Sequence, residues 1–209
     1  MAEGVEEYYA RVERALDTEG RLPLDAAAIP FWDIFPFESD GLRLKPLRPP
    51  AEAEDPRAGE GGRPCSCESA DPAPVGVIWE DESWRLICAE PSGSPLVCML
   101  LTKAHHDFTD LPDDLAAQMG RLMVHLGAAI EALPSVGRVH VSKWGDGGAH
   151  LHVFFIARPE RMAQLRGTCM ALWDDFLPPV PIEVRDENAR FVVERLVAAY
   201  GGAAVQPTR

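Results

Sequence analysis

The chain has 209 residues, 46% hydrophobic and 25% charged, which is enough for one domain with extensions and a sizeable core. Its 33 acidic residues outweigh 20 basic ones, a net charge of −13, which argues against nucleic acid and anionic membrane surfaces as partners. No apolar run approaches the roughly 20 residues of a spanning helix. Met1–Glu7 is acidic rather than leader-like, and five cysteines, an odd number, suit a reducing compartment, so a cytoplasmic protein is expected.

Val5, Tyr8, Tyr9, Val12 and Leu16 recur at helical spacing and predict a short amphipathic helix over 3–17. Phe31–Phe37 is too aromatic for a free linker and is expected to pack on the main domain. Pro, Gly, Ala and Glu then dominate from Pro46 to Pro74, the composition of an irregular or mobile connector, with Cys65-Ser66-Cys67 inside it. The texture changes at Val75. Residues 75–80 and 84–89 read as strands joined by the turn Asp81–Ser83, and 96–101 as a buried strand. After Pro112, Asp113 and Asp114 favour a helix N-terminus, and Leu115, Met119, Leu122, Met123, Leu126 and Ile130 form its apolar stripe. Val139–Val141 is a further strand, and the glycine-rich turn Gly145–Gly148 leads into another from His150 to Ile156. Residues 160–176 and 186–200 predict helices separated by the break at Pro178–Pro181. Short strands in hairpin order with one long helix give an α+β fold with an antiparallel sheet. Its expected divisions are an extension and connector over 1–74, a central domain over 75–177 and a C-terminal helical segment over 178–209.

Alternation along the predicted strand puts His150, His152 and Phe154 on one face. Two imidazoles on a rigid element beside a flexible loop suit a nucleophile and its helper, or a metal ligand and a catalytic base. Cys88, Cys98 and Cys169 lie among apolar residues and are expected as packed core thiols.

The run His150-Leu151-His152-Val153-Phe154-Phe155-Ile156-Ala157-Arg158 resembles the His-x-His-x-His motif of the histidine triad superfamily of nucleotide hydrolases and transferases, with Arg158 where the family has an arginine. The resemblance covers about Val75 to Pro159. Trp79–Glu82 and Leu86–Pro91 resemble the family's first hairpin, and Lys103-Ala104-His105 with Thr109-Asp110-Leu111 its Lys-Arg-His and Asp-Leu segment. It implies a sheet with one long helix and His152 as the nucleophile attacking the α-phosphorus of a nucleotide, a role for which neutral imidazole is suited. It further implies Glu90 at the ribose hydroxyls and backbone amides of Asp146, Gly147 and Gly148 at phosphate; Lys143, Arg158 and Arg166 are candidate phosphate partners by charge, an ordinary surface role being the alternative for each. The implied substrate is a nucleoside phosphoanhydride or phosphoramidate of the dinucleoside polyphosphate kind, and the implied assembly is a homodimer.

Phe154 stands where the family's third histidine would be and can donate no hydrogen bond. Loss of one such donor typically costs about 10²–10³ in rate. The alternative is therefore a catalytically weak or inactive nucleotide-binding or regulatory protein. Metal-binding members of the superfamily use a cysteine pair, a mid-chain histidine and the first motif histidine. The resemblance implies Cys65, Cys67, His105 and His150 as a structural zinc set, with His106 the alternative to His105. Four protein ligands would close the zinc shell, which disfavours open-site zinc hydrolysis.

Overall fold

The computed structural model describes residues 14, 16–21, 49–50, 52–68, 76–174 and 177–205. The chain forms two compact units, Met1–Asp55 and Pro56–Arg209. The aromatic stretch Phe31–Phe37, and all of the predicted 3–17 helix except Arg14, Leu16 and Asp17, lie outside the described residues. In the first unit, Asp17 organises a turn, its Oδ1 accepting the backbone N–H of Glu19 at 2.8 Å and of Arg21 at 3.0 Å.

The second unit is built on alternation. Strands β1 (Val77–Glu80), β2 (Trp84–Cys88) and β3 (Val97–Thr102) are followed by helix α1 (Asp113–Glu131), then β4 (Val136–Ser142) and β5 (His152–Pro159). Helices α2 (Cys169–Asp174) and α3 (Ile182–Ala199) and a short strand β6 (Ala203–Ala204) complete it. The six strands form one sheet in the order β4-β5-β3-β2-β1-β6, every neighbouring pair antiparallel. The architecture is α+β. Trp84, Leu86, Cys98, Leu100, Val153 and Phe155 project to one face, where α1 covers them with Leu122, Leu126 and Ile130 and α3 with Val192, Val193 and Leu196. The opposite face carries Met99, Leu101, His152 and Phe154, all half-buried. Among the described residues no helix is long and apolar enough to cross a membrane.

Three local expectations differ. Strand β5 starts at His152, not at His150: residues 149 and 150 still belong to the turn. The predicted 160–176 helix contracts to Cys169–Asp174, because Arg161 (φ 64°) and Gly167 (φ 58°) take left-handed backbone incompatible with a continuous helix. Helix α3 begins at Ile182, directly after Pro181, where a proline's missing N–H costs nothing.

Strand β6 was not expected. Gly201 (φ 108°) and Gly202 (φ 76°) end α3 and turn the chain back along β1, and Trp79 Nε1 donates to the Gly201 carbonyl at 2.9 Å. A Cβ on Gly202 would lie 2.5–2.6 Å from the Trp79 indole, which is fully buried and cannot move aside. Gly202→Ala is therefore expected to destabilise the protein by about 1–3 kcal/mol in chemical denaturation, through overpacking and a strained φ.

Candidate functional site

His150 and His152 do not share a strand face. The turn carries the His150 ring to the end of β3, where its Nε2 donates to the Thr102 carbonyl at 2.7 Å. That bond leaves the Nδ1 lone pair facing Cys65 Sγ, 3.4 Å away. Cys67 Sγ lies 3.5 Å from His105 Nδ1, and the ligand atoms of Cys65, Cys67, His105 and His150 are all within 4.8 Å of one another. Thiolate and imidazole ligands on one tetrahedral zinc, at about 2.3 and 2.0–2.1 Å, stand about 3.5 Å apart. The observed spacings match.

The chemistry of the donors fits a cation as well. Burial, and then the neighbouring Cys65 thiol, push the Cys67 thiol up to about 11, so a thiolate pair here calls for a positive partner. Burial holds His150 below its usual value, in the neutral form a metal ligand requires. The Thr102 carbonyl fixes the His150 tautomer, as second partners of metal-bound histidines do. His106 takes no part, its Nδ1 lying 3.9 Å from Asp110 Oδ1 instead.

A strap holds this cluster in place. Ala58 donates to the Gly147 carbonyl at 3.1 Å and accepts from Ala149 N–H at 2.9 Å, pairing residues of the proline- and glycine-rich connector with the glycine turn. Arg57 bonds the Gly145 carbonyl at 3.0 Å and Asp107 Oδ2 at 2.8 Å, and Lys143 approaches Asp107 Oδ1 at 3.4 Å. Burial alone would raise Asp107, but the Phe108 amide, Arg57 and Lys143 outweigh it and hold the carboxyl below the usual range. Gly59 packs against His105 where a Cβ would sit 2.6 Å from the ring. The sequence gives no sign of Arg57, Asp107 and Thr102, since nothing local marks partners 36 to 88 positions apart, and Lys143, a candidate phosphate partner, pairs here with Asp107. Asp107→Asn is expected to cost about 1–3 kcal/mol and to speed amide exchange at Ala58 and Gly59, measured by hydrogen–deuterium exchange.

Next to the cluster stands His152. Its Nδ1 lies 2.8 Å from the His150 carbonyl oxygen, which can only accept, so Nδ1 carries the proton and Nε2 the free lone pair. The Phe154 ring meets it edge-on at 5.6 Å and is itself 5.2 Å from Trp144, which is 46% exposed. His152 is thus bordered by an apolar, partly open aromatic wall. Asp146 and Gly147 are exposed in the turn at the same end of β5.

The structure does not bring Glu90 or Arg158 to this point. Glu90 lies beyond the Ala89–Val97 row of the sheet, and His152 sits opposite Leu101, four rows or about 13 Å along the strands. Arg158, six residues along β5 from His152 and hence about 20 Å away, donates to the carbonyls of Pro159 at 3.1 Å and Met162 at 3.3 Å.

The second unit is thus an antiparallel sheet backed by a long helix, with a Cys-Cys-His-His cluster beside a strand-borne histidine. No family model matches the chain, and no curated protein matches it. The solved structures it is similar to include histidine triad proteins. A zinc-bound histidine triad family protein from Mycobacterium smegmatis is 20% identical, with a TM-score of 0.44 over 60% of this chain and 86% of that one. A hypothetical histidine triad nucleotide-binding protein from Sulfolobus tokodaii is 15% identical, with a TM-score of 0.47 over 62% and 90%. A histidine triad protein from Sinorhizobium meliloti is 16% identical, with a TM-score of 0.48 over 58% and 90%.

Proposed function

We propose that this protein is a nucleotidyl hydrolase or transferase of the histidine triad type, acting on a nucleoside phosphoanhydride or phosphoramidate. One observation carries the reading: the His150 carbonyl takes the Nδ1–H of His152, which leaves Nε2 as the ring nitrogen directed to substrate on a rigid strand. Nε2 would attack the α-phosphorus, forming a P–N bond as the bond to the leaving group breaks. Water or another acceptor then attacks phosphorus, the P–N bond breaks and the nucleotide is released. The Asp146–Gly148 turn supplies backbone amides toward phosphate, and Cys65, Cys67, His105 and His150 would hold a zinc ion. When bound, zinc supplies a closed structural shell that fixes the strap and the turn. The proposal leaves Glu90 and Arg158 outside the reacting centre.

The test is intact-protein mass spectrometry during incubation with dinucleoside polyphosphates and nucleoside phosphoramidates, with product analysis alongside. A nucleotidyl adduct with release of nucleoside monophosphate supports the reading. Ligand bound with no adduct and no product favours the second reading, a nucleotide-binding protein, whose specific support is Phe154. Phe154→His bears on the same choice. It returns a donor beside Nε2 and is expected to raise kcat by about 10²-fold in steady-state assays with the same substrates.

A further inference from the structure

We propose that Cys88 and Cys98 form a redox-active dithiol that a hydroperoxide converts to a disulfide. The proposal is independent of the reaction at His152. The two residues are directly opposed across β2 and β3. The Ala89 N–H donates to the Val97 carbonyl, whereas the Cys88 N–H turns away to Gly76 on the other side of β2. Cys88–Cys98 is therefore a non-hydrogen-bonded pair, the type that brings Cα atoms to about 4.5 Å. Disulfides span Cα separations of about 4.4–6.8 Å, so the backbone can accept the bond. Both side chains project toward α3 in the core, and both thiols are free.

Arg185 makes the pair asymmetric. Its guanidinium reaches over from α3, Nη1 lying 3.7 Å from Cys88 Sγ and 2.8 Å from the Ala89 carbonyl. The opposed Cys98 thiol, together with Arg185, lowers the pKa of the Cys88 thiol against the opposing effect of burial. Cys98, fully buried opposite Cys88, is held up as the thiol. A thiol of lowered pKa beside a guanidinium, with a second thiol opposite to resolve it, is an arrangement that favours attack on a peroxide.

The chemistry balances. The Cys88 thiolate attacks one peroxide oxygen, the O–O bond breaks and the departing hydroxide takes a proton as water. The Cys98 sulfur then attacks the Cys88 sulfenic acid, giving up its proton. The S–S bond forms, the S–O bond breaks and a second water leaves. Two thiols lose two electrons and two protons, and hydrogen peroxide becomes two waters. Cys88 is 5% exposed and Cys98 0%, which selects a small oxidant.

The sequence makes the test clean. Trypsin cuts after Arg85 and Lys103, so Cys88 and Cys98 fall on one peptide, 86–103, and Cys65 and Cys67 on another. The full-length protein would be titrated with hydrogen peroxide, alkylated under denaturing conditions, digested and weighed. The expected product is an unalkylated 86–103 peptide two hydrogens lighter, restored by dithiothreitol. Arg185→Gln is expected to slow its formation roughly tenfold and Arg185→Lys far less. Cys98→Ser is expected to leave a sulfenic acid on Cys88 that a cyclic 1,3-diketone captures. Doubly alkylated 86–103 at peroxide doses that oxidise Cys65 and Cys67 would overturn the proposal. So would Arg185→Gln oxidising at the wild-type rate, or a diketone adduct absent from Cys98→Ser.

Discussion

His152→Ala is expected to abolish the nucleotidyl adduct and to lower kcat/KM by about 10⁴-fold or more, while nucleotide affinity changes by only a few fold. The size follows from removing the atom that forms the bond: knocking out an attacking residue removes the whole covalent route, not one contact among several. Binding persists because the Phe154–Trp144 wall and the glycine turn do not depend on the imidazole for their position. Phe154 is fixed opposite Met99 and Ser142, and the turn by Ala58 and Arg57. Stopped assays for nucleoside monophosphate, with affinity measured by calorimetry on the same preparations, separate the two quantities. Turnover undiminished in His152→Ala would remove the histidine from the chemistry. Equal affinity with no turnover in either form would leave the binding protein.

What the sequence makes legible follows from how local each signal is. Strands β1 to β3 and helix α1 stand out because apolar spacing reports which face is buried, and the core duly gathers Trp84, Leu86, Leu100, Leu122 and Leu126. The start of β5 is misread for a physical reason. Alternation is a property of extended backbone, and at His150 the chain is still turning, so the ring goes to Cys65 and Thr102 rather than to the face of His152. Strand β6 offers no pattern at all: two alanines become a strand because Trp79 and Gly202 fit together. The four metal-type residues are readable as residue types, and their convergence within 4.8 Å agrees with that reading. The strap that aims them is not readable, since Arg57, Asp107 and Gly145 carry no local signature of one another.

Cys65→Ser is expected to remove stoichiometric zinc and to release residues 56–68 while leaving the sheet folded. Structural zinc in isolated fingers contributes about 10–16 kcal/mol of apparent binding free energy at neutral pH. A strap hydrogen bond such as Ala58 N–H to Gly147 contributes about 1 kcal/mol net. If zinc sits on Cys65, Cys67, His105 and His150, it dominates the docking of this segment. Protection from hydrogen exchange at Ala58, Gly59 and Arg63 should then collapse on chelation, and amides of β2, β3 and β5 should stay protected. The sheet core explains the contrast: it is assembled from Trp79, Leu86, Leu100, Phe155 and the α1 and α3 stripes, and none of the four ligands belongs to it. Metal analysis of wild type, Cys65→Ser and Cys169→Ser checks the assignment, with about one zinc per chain expected in the first and third and none in the second. Zinc retained in Cys65→Ser, or wild type purified without metal and unable to take it up, would sink the zinc site. The consequence for His152 follows from geometry. The His150 carbonyl that holds its Nδ1 proton is fixed twice, through Thr102 on one side of the ring and through the cluster on the other. Losing the second tether should lower kcat far less than losing His152 itself, because the Thr102 bond remains to orient the carbonyl.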